Sequence, residues 1–257
     1  MPRSMMLGHE KVGTGPRTVI VLNDWTGDTS AWHGARVYLD LSKFTWVFAD
    51  LRGYGRSRGR IGRFTVEEAA ADVIELADAS ELQRFAIMGH SMSTLVALHL
   101  AQHEPNRIES VMVIAPPPPT GFGVDDKTLA ALEAVGRGDD ALRMNGLRRM
   151  IGDRLSECFL RRKVEHWRAS SDPEAVAGYV AMYARHGLPA PSKKISAAVL
   201  AVTGEQDSDV MRGDAVEKFL APLCERLVIE RFADCGHYPM EEMPPLLVAV
   251  VERFLSR

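Results

Sequence analysis

The sequence predicts an α/β domain with a mostly parallel sheet covered by helices on both faces. Short, continuous apolar runs rich in β-branched residues recur along the chain, a pattern typical of strands buried on both faces. Segments with helical spacing of apolar residues separate most of these runs, as expected for successive strand–helix units. The alternation breaks once, between residues 116 and 191, where no strand-like run occurs.

Six apolar runs predict the strands of the sheet. They cover residues 18–22, 44–49, 85–88, 110–114, 197–202 and 226–230. Between the second and third runs, Thr65 predicts the N-cap of a helix with acidic residues in its first turn. Further helices are predicted over 95–103 and over about 245–255, where a proline suits the first helical turn.

The segment from residue 116 to residue 191 predicts a helical insertion above the sheet. It opens with four consecutive prolines followed by Thr120 and Gly121, a run that fits neither a helix nor a central strand. Apolar residues then recur at helical spacing, and they are too numerous for the alternative, a disordered linker. We therefore divide the chain into core residues 1–115, a helical cap insertion over 116–191, and core residues 192–257.

The bulk composition limits the kinds of partner. The 257 residues are 46% hydrophobic and 25% charged, with a formal net charge of −3, so one domain of this size can bury a large core. The charges are interspersed, which gives no electrostatic reason to expect nucleic acid. We expect a small-molecule substrate as the partner, and a monomer or a small homo-oligomer.

The three cysteines and the N-terminus favour a cytoplasmic protein. Cys158, Cys224 and Cys235 form no Cys-x-x-Cys pair, so neither a disulfide framework nor a zinc site is predicted. Residues 1–8 lack the sustained apolar run of a secretory signal, and no apolar stretch is long enough to span a bilayer. We expect no membrane association and no metal.

The strongest chemical signal is a serine between a predicted strand and a predicted helix. Ser91 lies at the apex of this turn, flanked two positions away by the small residues Gly89 and Ser93. A nucleophile held in a strained turn needs small neighbours, because the strand and the helix approach closely there. We interpret Ser91 as a nucleophile.

A nucleophilic serine requires a base and an orienting carboxylate. His237 follows the last predicted strand, and Asp207 follows the strand before it. Both positions lie beyond strand ends, on the same side of a parallel sheet as Ser91. Glu205 and Asp209 are rival acids on the same loop.

The order Ser91, Asp207, His237 resembles that of the α/β-hydrolase superfamily, in its branch of serine esterases, enol-lactonases and cofactor-free haloperoxidases. The loop 50–57, and the glycine three residues before Asp207, also match the family pattern. The resemblance implies the α/β-hydrolase fold with a cap, no cofactor, and Asp207 as the acid of the triad.

The resemblance also implies an oxyanion hole built from two backbone N–H groups. One is that of Met92, after the nucleophile, and the other that of Trp25, on the loop after the first buried strand. Family members usually carry His-Gly on this loop, where the present chain has Asn23 and Asp24. Asp24 either acts near the substrate, as a repelling charge or an extra acid–base group, or bonds only to its own loop.

Large side chains near the site are candidates for the substrate pocket, with packing between cap helices as the alternative for each of them. The candidates are Trp25, Asp24, His90, Phe122, Met144, Trp167, Met182 and Tyr238.

The predicted function is a serine hydrolase that cleaves a carboxylic ester or lactone, or a similar acyl bond, of a small, largely apolar substrate through an acyl-enzyme. Two alternatives share the same fold. One is a cofactor-free dioxygenase that uses the histidine as a base, and the other is a ligand-binding receptor or sensor with vestigial hydrolysis. The intact triad disfavours a pure binding module, and the altered Asn23–Asp24 loop keeps that alternative open.

Overall fold

A computed structural model describes residues 6–151, 154–188 and 194–257, and its centre is a seven-stranded sheet. The strand order is β1-β3-β2-β4-β5-β6-β7, with β1 antiparallel to β3 and every other neighbouring pair parallel. The strands are β1 His9–Val12, β2 Arg17–Leu22, β3 Phe44–Ala49, β4 Phe85–His90, β5 Ile108–Ile114, β6 Ala198–Gly204 and β7 Leu227–Phe232. The predicted fold class is confirmed.

All six predicted runs form strands, and β1 is the one strand of the described residues that was not predicted. This strand has the sequence His-Glu-Lys-Val and pairs with β3, from His9 opposite Ala49 to Val12 opposite Trp46. Edge strands of this kind are short and polar, so they lack the apolar run by which the buried strands are recognised.

Helices cover both faces of the sheet and fill the long connection between β5 and β6. The predicted cap at Thr65 is present, since its hydroxyl accepts from the Glu68 N–H at 3.3 Å. The helices are α1 His33–Arg36, α2 Val66–Ala79, α3 Ser93–His103, α4 Asp126–Arg137, α5 Asp140–Ile151, α6 Glu157–Ser170, α7 Pro173–Ala181, α8 Gly213–Leu220, α9 Pro239–Glu242 and α10 Pro244–Leu255.

The segment around α6 and α7 contacts the loops after β2 and β3. The Trp25 indole N–H, on the loop after β2, donates to the Val176 carbonyl of α7 at 2.8 Å. Tyr54, on the loop after β3, forms an isolated bridge with Ser171. This segment contains helices α4 to α7, and the division of the chain into core and cap stays a prediction, whose upper limit at Pro191 lies outside the described residues.

The carboxyl ends of parallel strands meet at one edge of a sheet, where ligands bind in open α/β folds. The loops after β2, β4, β6 and β7 all emerge at this edge. Within the described ranges, no helix is both long and apolar enough to cross a membrane. The cytoplasmic location and the oligomeric state stay predictions.

Candidate active site

Ser91 occupies a strained turn between β4 and α3. Its φ is 53°, in the left-handed region that residues with a side chain rarely adopt, and its N–H donates to the Ile114 carbonyl at 2.8 Å. A Cβ added at Gly89 would lie 2.5 Å from the Ser93 carbonyl oxygen, so this position requires glycine. The turn therefore holds Ser91 in the conformation that presents its hydroxyl beyond the strand end.

Ser93, where the family usually has a second glycine, supports the turn with its hydroxyl. Its Oγ accepts from the His90 N–H at 3.0 Å and donates to the His90 carbonyl at 3.1 Å. The Thr94 hydroxyl donates to the Ser91 carbonyl at 2.6 Å. These bonds satisfy buried backbone groups on both sides of Ser91, so the serine at position 93 fits the turn.

The structure brings Ser91, His237 and Asp207 together as a hydrogen-bonded chain. His237 Nε2 lies 3.1 Å from Ser91 Oγ, and His237 Nδ1 lies 2.7 Å from Asp207 Oδ2. An ionised carboxylate only accepts, so Nδ1 carries the proton and Nε2 presents a lone pair to the serine hydroxyl. This geometry allows His237 to take the proton of Ser91.

The rival acids point elsewhere. Glu205 accepts from the Thr203 hydroxyl at 2.9 Å and from the Gly213 N–H at 3.0 Å. Asp209 forms an ion pair with Arg212 at 2.8 Å. Of the three acids on this loop, only Asp207 contacts the imidazole, and the Ser208 N–H fixes its other oxygen at 2.7 Å.

Burial and charge act in opposite directions on the two buried histidines. Burial lowers the pKa of His237. The charge and hydrogen bond of Asp207, together with the charge of Asp24, raise it by a larger amount, so the net pKa lies above its usual value. Burial is the main cause that lowers the pKa of His90 to about 4, so His90 is neutral at pH 7. His237 is therefore the stronger base of the pair.

Asn23 organises the loop after β2. Its side-chain amide donates to the Asp24 carbonyl at 2.8 Å and to the Gly27 carbonyl at 2.9 Å. Its side-chain oxygen accepts from the Leu51 N–H at 2.7 Å. Three hydrogen bonds thus fix the loop on which the second oxyanion donor was predicted.

Trp25 is held on this loop from several directions. Its carbonyl accepts from the Tyr54 hydroxyl at 3.0 Å, and its ring meets that of Trp167 edge-on at 4.8 Å between centroids. In the described part of the chain, no hydrogen bond from the backbone N–H of Trp25 or of Met92 is present. Neither of the two N–H groups predicted for the oxyanion hole thus bonds to another described residue.

Most of the predicted pocket side chains are packed inside the protein. Trp167 and Tyr238 are fully buried, Asp24, His90, Trp25 and Met182 are nearly so, and Met144 is partly buried. Phe122 is 38% exposed. Trp167 packs on Trp25, which lies outside the predicted cap, and whether any of these side chains contacts a substrate stays a prediction.

Tyr183, which the sequence analysis did not name, lies between two of the candidates. Its ring centroid is 5.6 Å from that of Trp25 and 6.4 Å from that of Phe122. It belongs to a π-helical turn, Met182–His186, at the end of the cap segment, and such turns often occur at functional sites. The aromatic residue beside Met182 was the available sequence signal, but helical spacing alone does not show which side chain faces Trp25.

No group of histidine, cysteine or acidic residues suited to a metal ion occurs in residues 6–151, 154–188 and 194–257. Cys158 is exposed, whereas Cys224 and Cys235 are buried, and all three are free thiols. Burial raises the pKa of Cys235, near His237, to about 12, so this thiol is not a nucleophile at pH 7.

A model of the α/β-hydrolase fold family matches residues 17–157. The chain is 34% identical over 106 residues to the pimeloyl-[acyl-carrier protein] methyl ester esterase of Salmonella heidelberg, which is 41% of this chain and 39% of that protein. It is 34% identical over 108 residues to the 2-heptyl-3-hydroxy-4(1H)-quinolone dioxygenase of Mycobacteroides abscessus, covering 42% and 38%. The alignments with the first curated relatives span only 30% to 39% of their length.

Solved structures resemble the chain over nearly its whole length. A hydrolase from Oleispira antarctica has a TM-score of 0.86 at 19% identity, and the enol-lactonase from Burkholderia xenovorans LB400 has a TM-score of 0.84 at 23% identity. In each case 98% of this chain and 96% of the other are covered. At these identities the likeness shows the shared fold.

Proposed function

The chain belongs to the α/β-hydrolase fold family, and on that premise we propose that it is a serine hydrolase that cleaves a carboxylic ester or lactone of a small, largely apolar substrate through an acyl-enzyme. The observation that carries this proposal is the hydrogen-bonded chain from Ser91 Oγ through His237 to Asp207. A buried structural histidine needs no carboxylate behind it and no strained serine in front of it, whereas acyl transfer needs both.

Acylation begins when Ser91 Oγ attacks the carbonyl carbon and His237 Nε2 takes its proton. The charge that develops on the carbonyl oxygen is stabilised by the N–H groups of Trp25 and Met92. His237, now protonated, donates to the leaving oxygen as the tetrahedral intermediate collapses. Asp207 keeps the imidazole in one tautomer and stabilises its positive charge throughout.

Deacylation repeats these steps with water. His237 removes a proton from a water molecule, which attacks the acyl carbon, and then returns the proton to Ser91 Oγ. The acid leaves with one oxygen from water. In a lactone the alcohol and the acid belong to one molecule, so hydrolysis opens the ring and yields a single product.

An aromatic wall supports an apolar acyl group. Phe122, Tyr183 and Trp25 form a continuous series of ring contacts that ends at the proposed oxyanion donor. Apolar pockets with few polar groups are typical of small-molecule sites. The likeness to a methyl ester esterase and to an enol-lactonase supports the ester or lactone class.

A dioxygenase is the second candidate, favoured by the 34% identity to the Mycobacteroides abscessus dioxygenase. In that reaction His237 would remove a proton from an organic substrate, and Ser91 would form no covalent bond. The two candidates differ in their need for the Ser91 hydroxyl.

The test is the Ser91→Ala variant with short p-nitrophenyl esters and a fluorophosphonate label. We expect hydrolysis to fall by about 10³-fold or more, because the nucleophile is lost, and we expect the label on wild-type Ser91 only. Ser110→Ala is the matched control, since this buried serine on β5 has a hydroxyl without a partner among the described residues. Hydrolysis or labelling that persists in Ser91→Ala, with the fold intact, contradicts the proposal. Oxygen uptake by Ser91→Ala that depends on His237 would favour the dioxygenase.

A further inference from the structure

Asp24 is a buried carboxylate that the steps above do not use. The residue is 2% exposed, and its Oδ2 accepts from the Thr26 hydroxyl at 2.5 Å. Its Oδ1 is buried without a hydrogen-bond partner in the described part of the chain. A carboxylate oxygen left in this state is costly, so its presence beside an active site calls for a role.

The direction of the hydrogen bonds connects Asp24 to the loop of His237. An ionised carboxylate has no proton to give, so the Thr26 hydroxyl donates to Asp24 and its oxygen is free to accept. The Tyr238 hydroxyl lies 3.2 Å from Thr26 Oγ1 and is therefore the donor to it. Asp24 thus holds, through Thr26, the residue that follows His237.

His90 holds the same loop from below. Its Nε2 lies 2.7 Å from the His237 carbonyl, which only accepts, so Nε2 carries the proton. Its Nδ1 lies 3.8 Å from Asp24 Oδ2, beyond hydrogen-bond distance. His90 therefore fixes His237, and the hydrogen bond from Tyr238 to Thr26 fixes the next residue of the loop. Both His90 and Thr26 lie beside the Asp24 carboxylate.

Asp24 also adds a second negative charge near His237. The charged and titratable groups around the imidazole are Asp207 after β6, which bonds to it, and the rings of His90 and Tyr238, whose centroids lie 5.2 Å and 5.1 Å from that of His237. The charges of Asp24 after β2 and of Lys163 from α6 also act on it. Lys163 forms an ion pair with Glu241 at 2.5 Å, and its ammonium lies 4.0 Å from the centre of the Tyr238 ring. Burial and the charge of Lys163 lower the pKa of His237, whereas the charges of Asp207 and Asp24 raise it, and the net direction is upward.

We propose that Asp24 is a positioning residue for His237: through Thr26 and Tyr238 it fixes the loop of the base, and its charge stabilises the protonated imidazole that forms when Ser91 attacks. The charge contribution rests on the proposed serine hydrolysis, whereas the positional contribution depends only on the contacts. Asn23 and Asp24 would then stand in place of the usual His-Gly pair, and the hydrogen bonds of Asp24 through Thr26 would link the loop after β2 to the loop of His237.

The first test is Asp24→Asn, which keeps the shape and an acceptor oxygen for Thr26 but removes the charge. Catalysis needs neutral His237, so kcat/KM falls as pH drops through the pKa of His237. We expect this acid limb to move to lower pH by about one unit, and kcat at pH 8 to fall about tenfold. Asp28→Asn is the control, since Asp28 lies on the same loop but pairs with His166 at 3.2 Å, and it should leave the acid limb in place.

The positional contribution is tested by Thr26→Val and Thr26→Ser. Valine breaks the connection to Tyr238 but leaves Asp24 charged, so we expect kcat to fall about tenfold while KM stays unchanged, and serine should restore the rate. Tyr238→Phe removes only the hydroxyl and should reproduce the valine result. Equal rates in Thr26→Val, Tyr238→Phe and wild type would overturn the positional role.

An NMR titration of the His237 imidazole separates this inference from the proposed function. It needs no substrate, and His237→Gln assigns the signal. A pKa of His237 that falls in Asp24→Asn and not in Asp28→Asn supports the inference even if no ester is hydrolysed. A pKa that is the same in Asp24→Asn and wild type overturns the charge role even if Ser91 proves to be the nucleophile.

Discussion

The loops at the strand ends and the predicted cap segment differ in how well the sequence predicts which of their side chains meet. At the strand ends, Ser91, Asp207 and His237 come from distant parts of the chain and meet within hydrogen-bond distance. In the predicted cap segment, large side chains contact both each other and the loops at the strand ends, as Tyr183 contacts Phe122 and Trp25. Charged pairs such as Arg137–Glu174, at 2.8 Å, lie at its surface. A parallel sheet specifies where its loops converge, whereas helix spacing specifies only which side of a helix is buried.

The two regions nevertheless depend on each other at the loop after β2. Trp25 is bonded to Val176 and packed against Trp167, both in the cap, while its backbone carries a proposed oxyanion donor. Preorganised donors are effective because they need no rearrangement during the reaction. The proposed function therefore predicts that the cap segment influences catalysis through the position of Trp25.

Among the variants that compare the two regions, Asp207→Asn is expected to lower kcat the most. The amide would no longer fix the tautomer of His237 or stabilise its charge, so we expect kcat to fall by about 10³- to 10⁴-fold, or about 4 to 5.5 kcal/mol. Steady-state kinetics on a short p-nitrophenyl ester measure this loss.

Asp209→Asn is the matched control two residues further along the same loop. Asp209 is exposed and pairs with Arg212, so its exchange should change kcat by less than about twofold. If both variants lost activity equally, activity would require the loop as a whole rather than the Asp207 carboxylate. The proposed role of a single side chain at this strand end would then be wrong.

Much of the site followed from the sequence because parallel topology limits where each loop lies. Once 85–88 is identified as a strand and 95–103 as a helix, Ser91 must lie at the carboxyl edge, and the loops of Asp207 and His237 emerge at the same edge. The chemistry of a serine nucleophile then requires one base and one acid from those loops.

Other features depend on contacts that no local pattern encodes. Thr26 and Tyr238 are 212 residues apart, and nothing in either segment indicates that their hydroxyls meet. The ring contact between Tyr183 and Trp25 depends on how the end of the cap segment lies over the loop after β2. Fully buried Trp167 lies in α6, and Phe122, 38% exposed, lies in the loop before α4; the residue type of neither shows whether the side chain packs inside the protein or lines a pocket.

A smaller effect is expected from Trp167→Ala, compared with Trp46→Ala on β3. Both tryptophans are 0% exposed, and neither indole N–H has a partner among the described residues. Each variant should lose about 3 to 5 kcal/mol of unfolding free energy through the cavity it leaves. Only Trp167 packs on Trp25, so only its loss should also lower kcat, by about tenfold and to the same degree for every acyl length.

Denaturant unfolding and a series of esters from acetate to octanoate measure the two quantities. A change of acyl preference in Trp167→Ala would mean that Trp167 lines the pocket despite its burial. Equal kcat values in the two folded variants would show that the position of Trp25 does not depend on its partner in the cap.

The smallest effect is expected from Phe122→Ala, at the outer end of the aromatic wall. Phe122 is 38% exposed and contacts Tyr183 edge-on, so a long acyl chain can cover only part of its ring. Removing that contact should cost about 0.5 to 1 kcal/mol for long chains and nothing for acetate, which is a fall of about 2- to 5-fold in the ratio of kcat/KM for octanoate over acetate. Tyr38→Ala, at an exposed aromatic residue on the turn after α1, should leave the ratio unchanged. If the ratio is also unchanged in Phe122→Ala, the acyl chain does not run along Phe122, and the wall formed by Tyr183 and Trp25 ends short of it.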